Sequence, residues 1–324
     1  MRSFGCPRCG AELFFDNSLC LTCGSAVGYA RDRRAFVLVS ATAPICADLD
    51  GCGCNWVGEP TWCLNCRLTR TRPADGDVAG LQQYWVAEAA KRRLLFGLDE
   101  LRLPVQVRQG SAGLAFDLLS STAGPVTTGY LNGVITLDLA ESDDAHREGL
   151  RRAMDEPYRT VLGHLRHEVG HYYAETLALA PARRSQFRSL FGDETASYAT
   201  ALDRHYTVGA PPDWRERFVS AYASMHPLED FAEVFAHFLH ITDTLQTAAA
   251  FGVLHPTGLP VHDPRALAEA STAEVIAKAW IPLAKALNQI NRSMGKPDLY
   301  PFVLGPAVIA KLAFVAELVA DASQ

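Results

Sequence analysis

The stretch LGHLRHEVGHYYAETL, Leu162 to Leu177, decides how the chain is read. Tyr158, Val161, Leu162, Leu165, Val169, Tyr172 and Thr176 recur at the helical period and predict a stripe packed on a core. Pro157, just ahead of them, suits a first helical turn. His164, His167, Glu168, His171 and Glu175 share the opposite stripe. His167 and His171 stand one turn apart and project together, so two imidazoles can grip one ion at about 2.0–2.1 Å. Glu168 leaves the helix about 100° around from His167, beside such an ion rather than on it. A base stands there to take a proton from water that zinc acidifies to a pKa of about 7. His164, one turn earlier, reads as a surface residue or as support for the site.

Two histidines leave a catalytic ion one protein ligand short. A third histidine six residues after His171 would give the metzincin pattern, but Leu177 occupies that place and excludes it. Three sources remain open: Asp193 and Glu194 in LFGDETASYA, His205 in DRHY, and the predicted helix His226 to His240. In that helix Phe231, Val234, Phe235, Phe238 and Ile241 form an apolar stripe, with Glu229, Glu233, His237 and His240 opposite. Two carboxylates one turn apart suit a ligand and its support, although an acidic solvated face has the same composition.

The front of the chain has its own chemistry. All nine cysteines fall between Cys6 and Cys66. Cys6, Cys9, Cys20 and Cys23 form two CxxC pairs, each followed by glycine, the spacing of a closed four-thiolate zinc site. In the second set Cys46, Cys63 and Cys66 need a fourth partner from Cys52 or Cys54. Cys54 is preferred, because Asn55 and Trp56 can cover the site as a lid. Both sites read as structural, holding together a segment with little core of its own. Residues 1–72 carry eight Arg and Lys against six Asp and Glu, so the module reads as a protein-docking or structural element and nucleic acid as an unlikely partner.

The segment Arg67 to Gly80 reads as a linker, dividing a zinc-ribbon module at 1–72 from a catalytic domain at 73–324. Beyond it come a helix from Leu81 to Leu95, with Leu81, Trp85, Ala89 and Leu95 inward, and then strands. Asn132-Gly133 predicts a type I′ hairpin turn, followed by a half-buried strand Val134 to Ala140. Two amphipathic helices are expected in the tail, with Lys311 and Glu317 interrupting the apolar run PAVIAKLAFVAELVA. His255 and His262 read as loop residues. The expected class is α+β, with a small mixed sheet, a histidine helix, a glutamate helix and C-terminal helices. A net charge of −6, no apolar leader and no membrane-length apolar run point to a cytoplasmic protein with no membrane partner.

HLRHEVGHYYAETL, LFGDE with the following Tyr and HY, FVSAYASMHPLEDFAEVFAHFLH and CNW…CLNCRLTRT together resemble the bacterial zinc-binding metallopeptidase family that carries an N-terminal zinc ribbon. More distantly, EDFAEVF is similar to the glutamate helix of lethal-factor-type zincins. That resemblance implies Glu229 as third zinc ligand, Tyr222 as a phenol donor in catalysis and Glu233 as support. It implies three zinc ions, one catalytic and two structural, and a zincin-like fold hydrolysing a protein or peptide. It also casts Val134 to Ala140 as an edge strand that pairs with the substrate backbone. Two rivals stand beside this reading: a SprT-like protease acting on DNA-bound protein, and a non-catalytic zinc-stabilised adaptor.

Overall fold

The computed structural model describes residues 2–58, 61–143 and 160–322. Pro157 and Tyr158 of the expected helix start lie outside the described residues. The chain forms two compact units. One holds the described residues of Met1–Phe96, Val105–Met154 and Thr160–Leu162; the other holds those of Gly97–Pro104 and Gly163–Gln324.

The first unit is α and β mixed. Strands β1 (Phe4–Gly5) and β2 (Glu12–Leu13) form one hairpin, and β3 (Val27–Ala30) and β4 (Ala35–Leu38) another. Phe4, Phe15, Tyr29, Phe36 and Trp56 meet edge-on in an aromatic core that Phe96 completes. The expected linker is partly a strand: Thr69–Thr71 (β5) enters a four-stranded sheet with β6 (Ala115–Leu119), β7 (Gly129–Leu131) and β8 (Val134–Asp138). Asn132 and Gly133 both have positive φ, as a type I′ turn demands, and join β7 to β8 in antiparallel register. Ile135 and Leu137 are buried and alternate with half-exposed neighbours.

Sheet order corrects one expectation. The order is β5-β6-β8-β7, so β8 is paired on both sides and offers no free edge. The helix after the sheet's first strand, Val78–Glu100, corrects another. Trp85 is 47% exposed, while Glu88 and Lys91 are sealed inside as an ion pair at 2.6 Å. Thr69 and Asn65 donate further hydrogen bonds to the Glu88 carboxylate. Of the four expected apolar positions Leu95 is buried, Leu81 and Ala89 are half-buried and Trp85 is exposed, because the buried side also carries polar residues.

The second unit is built on helices. The histidine helix is α-helical over Val161–Tyr173 and then widens into a π-helical turn, Ala174–Ala178. The glutamate helix, Pro227–Ala250, starts on a His226 cap with proline in its first turn. Phe231 and Phe235 on it join Tyr173, Phe187, Phe191 and Phe314 in one aromatic cluster. The tail is more broken than expected, with short helical segments between Pro264 and Ser293 and then a helix at Pro306–Asp321. Lys311 on that last helix is buried rather than solvated: Nζ lies 2.6 Å from the Asp230 carboxylate and donates to the Arg217 carbonyl. His255 and His262 do lie in loops.

Candidate metal centre

Glycine brings the two helices of the site together. A Cβ at Gly170, between the two histidines, would stand 2.9 Å from Cα and 3.1 Å from the carbonyl oxygen of Ala232. Glycine disfavours helix interiors by about 1 kcal/mol, so its presence there marks a close backbone approach. The consequence is that the histidine face and the Glu229–Glu233 face meet directly.

His167, His171 and Glu229 each direct a donor atom to one point, all within 4.8 Å of one another. His167 Nε2 is 3.2 Å from His171 Nε2 and 3.0 Å from Glu229 Oε2, and His171 Nε2 is 3.4 Å from Glu229 Oε1. Glu233 stands behind: its Oε1 accepts from His167 Nδ1 at 2.8 Å, and its Oε2 accepts from Ser220 at 2.7 Å. With Nδ1 bonded to a carboxylate, Nε2 is the nitrogen aimed at the common point. Glu168 is 5% exposed. Its Oε1 meets His164 Nε2 at 3.1 Å, while Oε2 is buried without a hydrogen-bond partner among the described residues.

The electrostatics follow from this packing. Burial opposes charge on His167, but hydrogen bonds with Glu229 and Glu233 hold its pKa well above the ordinary value. Burial likewise opposes charge on Glu229, yet His167 and His171 hold it well below the usual carboxylate range. Glu168 and Glu233 are also lowered against burial, by His164 and His167 respectively. Burial, reinforced by the Glu229 charge, raises Tyr222 and Tyr198, so both phenols remain hydrogen-bond donors. Two imidazole nitrogens and one carboxylate oxygen in an anionic setting are the donor set of an open zinc site.

Other candidates for the third ligand lie elsewhere. Glu194 is held by Arg188 through two 2.8 Å bonds, and Asp193 accepts from Thr195. His205 packs edge-on against Tyr222 at 5.8 Å between ring centroids. His237 and His240 turn inward toward Tyr300 and Arg166. Tyr222 lies beside the site, its ring 6.1 Å from that of His167. Residue reasoning missed Tyr198, whose hydroxyl donates to Glu229 Oε1 at 3.0 Å, and Ser220 behind Glu233. Neither sits at a helical spacing from its partner. Gly170 did carry a signal, a helix-disfavouring residue inside an amphipathic run.

The cysteines form two further groups. Cys6 faces Cys23 at 3.8 Å and Cys9 faces Cys20 at 3.7 Å. Gly10 and Gly24 take positive φ, letting the chain fold back so that their N–H groups meet the Cys6 and Cys20 carbonyls. In the second group Cys46 meets Cys66, and Cys54 meets Cys63, both at 3.5 Å. The Cys46 thiol donates to Cys66 and lowers it, while Cys63 in the same group is pushed up. Cys52 gathers instead with Asp48 and Cys66.

A family model described as "Putative zinc-binding metallo-peptidase" matches residues 80–318. The chain belongs to this family. A zinc-ribbon domain model matches residues 3–77. The family match contains His167, Glu168, His171, Tyr222, Glu229 and Glu233, and the ribbon match contains every cysteine. Two uncharacterised proteins of Mycobacterium tuberculosis and one of Mycobacterium bovis are each 51% identical, spanning 98% of this chain and 95% of their own. No solved structure matches the chain. Among the described residues no helix is long and apolar enough to cross a membrane.

Proposed function

We propose that this member of the zinc-binding metallopeptidase family is an endopeptidase with one catalytic zinc and two structural zincs. One observation carries the reading. A buried, ionised Glu168 with one unpartnered oxygen stands beside the converging donors of His167, His171 and Glu229. A purely structural site would have no use for that oxygen.

Zinc held by those three residues would acidify a water and polarise the scissile carbonyl. Glu168 takes the water's proton at Oε2 and delivers it to the leaving amine, so that water adds across the broken C–N bond. His164 fixes the other Glu168 oxygen and so aims the base. Glu233, steadied by Ser220, orients the His167 ring. Tyr222 donates its phenol to the developing oxyanion, the role carried over from the lethal-factor-type resemblance. Residues 1–72 act as the ribbon module and 73–324 as the catalytic domain, a division supported by the limits of the two family matches. Four-thiolate sites at Cys6, Cys9, Cys20, Cys23 and at Cys46, Cys54, Cys63, Cys66 hold the ribbon. Thiols gathered as ligand sets rather than disulfides support a reducing, cytoplasmic setting.

Glu168→Gln tests this directly. It keeps the size and one hydrogen-bonding oxygen but removes the base, so peptide hydrolysis should fall by about 10²–10⁴ while three zinc ions remain bound. Unchanged proteolysis with zinc in place would sink the assignment.

A further inference from the structure

Glu229 is 2% exposed, so each of its oxygens needs a partner from the protein or an ion. Oε2 faces His167 Nε2 at 3.0 Å, while Oε1 accepts the Tyr198 hydroxyl at 3.0 Å and lies 3.4 Å from His171 Nε2. We infer that Tyr198 is a positioning residue: its hydroxyl holds one oxygen of Glu229, leaving the other to the ion. The inference rests on the reading of His167, His171 and Glu229 as a zinc site.

Tyr198 is not a core residue that happens to touch a carboxylate. It opens the helix Tyr198–Val208, none of whose residues is buried, and is itself 43% exposed. What fixes it is His226. That imidazole is 3% exposed and spans the two segments, Nδ1 accepting from the Leu228 amide and Nε2 donating to the Ala196 carbonyl. The same ring packs against Tyr198 at 5.3 Å between centroids. One imidazole thus ties the start of the glutamate helix to the turn before Tyr198. The phenol reaches Glu229 from a fixed base rather than from a mobile surface helix.

Without the Tyr198 hydroxyl the Glu229 carboxylate would be free to rotate, and the oxygen it offers to a bound ion would be less well fixed. Supporting hydrogen bonds of this kind typically change metal affinity by about 10–100-fold.

The experiment uses the full chain with the thiolate-held ions retained and the histidine site stripped by a moderate chelator. Zinc return is followed by chelator competition and cobalt return by visible absorption, for wild type, Tyr198→Phe and Tyr222→Phe. Tyr198→Phe should bind zinc about 10–100-fold more weakly and give an altered cobalt band, because the carboxylate donor is less well oriented. Tyr222→Phe should leave zinc affinity unchanged. Wild-type affinity and an unaltered cobalt band in Tyr198→Phe would overturn the positioning role. So would an affinity loss matched by an equal loss of thermal stability in the stripped protein. A wild-type chain that takes up only two zinc ions overturns the underlying zinc-site reading instead, which keeps the two failures apart.

Discussion

The cysteine groups and the histidine group gather donors in opposite ways. Each cysteine set comes from one short run of chain, and in the first the knuckle glycines Gly10 and Gly24 set the geometry locally. The histidine set takes two donors from one helix and a third from another, His167 and Glu229 being 62 positions apart in sequence. Four thiolates close a tetrahedron and leave no place for a substrate. Two imidazoles and a carboxylate leave one position open, and the surrounding Glu168, Glu233, Tyr198 and Tyr222 are polar groups that a purely structural site would not need.

That contrast is broken most directly by a chelator. Moderate chelation should strip the histidine site first and abolish hydrolysis, while elemental analysis still finds two ions per chain and circular dichroism stays unchanged. The reason is that closed four-thiolate sites contribute folding free energy outright, on the order of 10 kcal/mol, and release their ions only with unfolding. Loss of the thiolate-held ions before the third would reverse the assignment of roles.

Acid should separate the regions next. Burial pushes His237 down to about 4, its Nδ1 accepting from the Tyr300 hydroxyl at 2.7 Å. The nearby Glu233 charge pulls the other way without winning. Burial and then the Arg166 charge also hold His240 well below its ordinary value. In the native protein His237 stays neutral, whereas the unfolded chain takes up a proton below about 6.5. Stability from this group is therefore complete above about pH 6.5 and is lost as pH falls toward about 4, to the extent of roughly 3 kcal/mol. Urea unfolding between pH 7.5 and 4.5 should show a shallower pH slope for His237→Gln, which keeps an acceptor for Tyr300. Equal slopes would remove His237 from the account.

Gly170→Ala should act on the histidine site alone. The added methyl meets the Ala232 backbone, which has no flexible end to move aside. Overpacking of this kind costs about 1–3 kcal/mol and would separate the helices. Zinc affinity at His167, His171 and Glu229 should fall while both thiolate sites keep their ions. Native mass spectrometry at limiting zinc distinguishes the outcomes, and an unchanged third ion would show that the close approach is dispensable.

How much of this the residues disclosed depends on how local each feature is. HEVGH announced its own half of the site, and the hairpin turn at Asn132-Gly133 was fixed by the two positive φ values that only such a pair accepts readily. The Glu229 partner came from resemblance, since nothing in spacing says which distant carboxylate will face a helix. On the long helix Val78–Glu100 Leu95 is buried as read, but Trp85 is exposed and an ion pair, Glu88 with Lys91, takes a buried place that apolar spacing cannot show. Lys311, read only as an interruption of an apolar run, is likewise buried, against Asp230. β8 was expected at an edge because sheet order depends on pairings that no single strand encodes.

The smallest expected effect concerns the fifth thiol of the second ribbon group. Cys54 shares the group of Cys46, Cys63 and Cys66, and Cys52 does not. Cys52 is fully buried, with the Arg92 guanidinium 4.0 Å from its sulfur and donating to its carbonyl at 3.2 Å. Its other neighbour, Asp48, is raised by burial and is a poor anionic donor in that setting. A cation already beside Cys52 disfavours a second ion there, so the thiol serves as packing and as an acceptor for Arg92. Cys52→Ser keeps the shape and the acceptor and should cost less than about 1.5 kcal/mol, with both ribbon ions retained. Cys54→Ser removes a ligand and should release one ion, with a drop in thermal stability. Elemental analysis of the two variants side by side decides the matter. Loss of an ion from Cys52→Ser, with retention in Cys54→Ser, would exchange their roles and make the Asn55-Trp56 cover irrelevant to the choice.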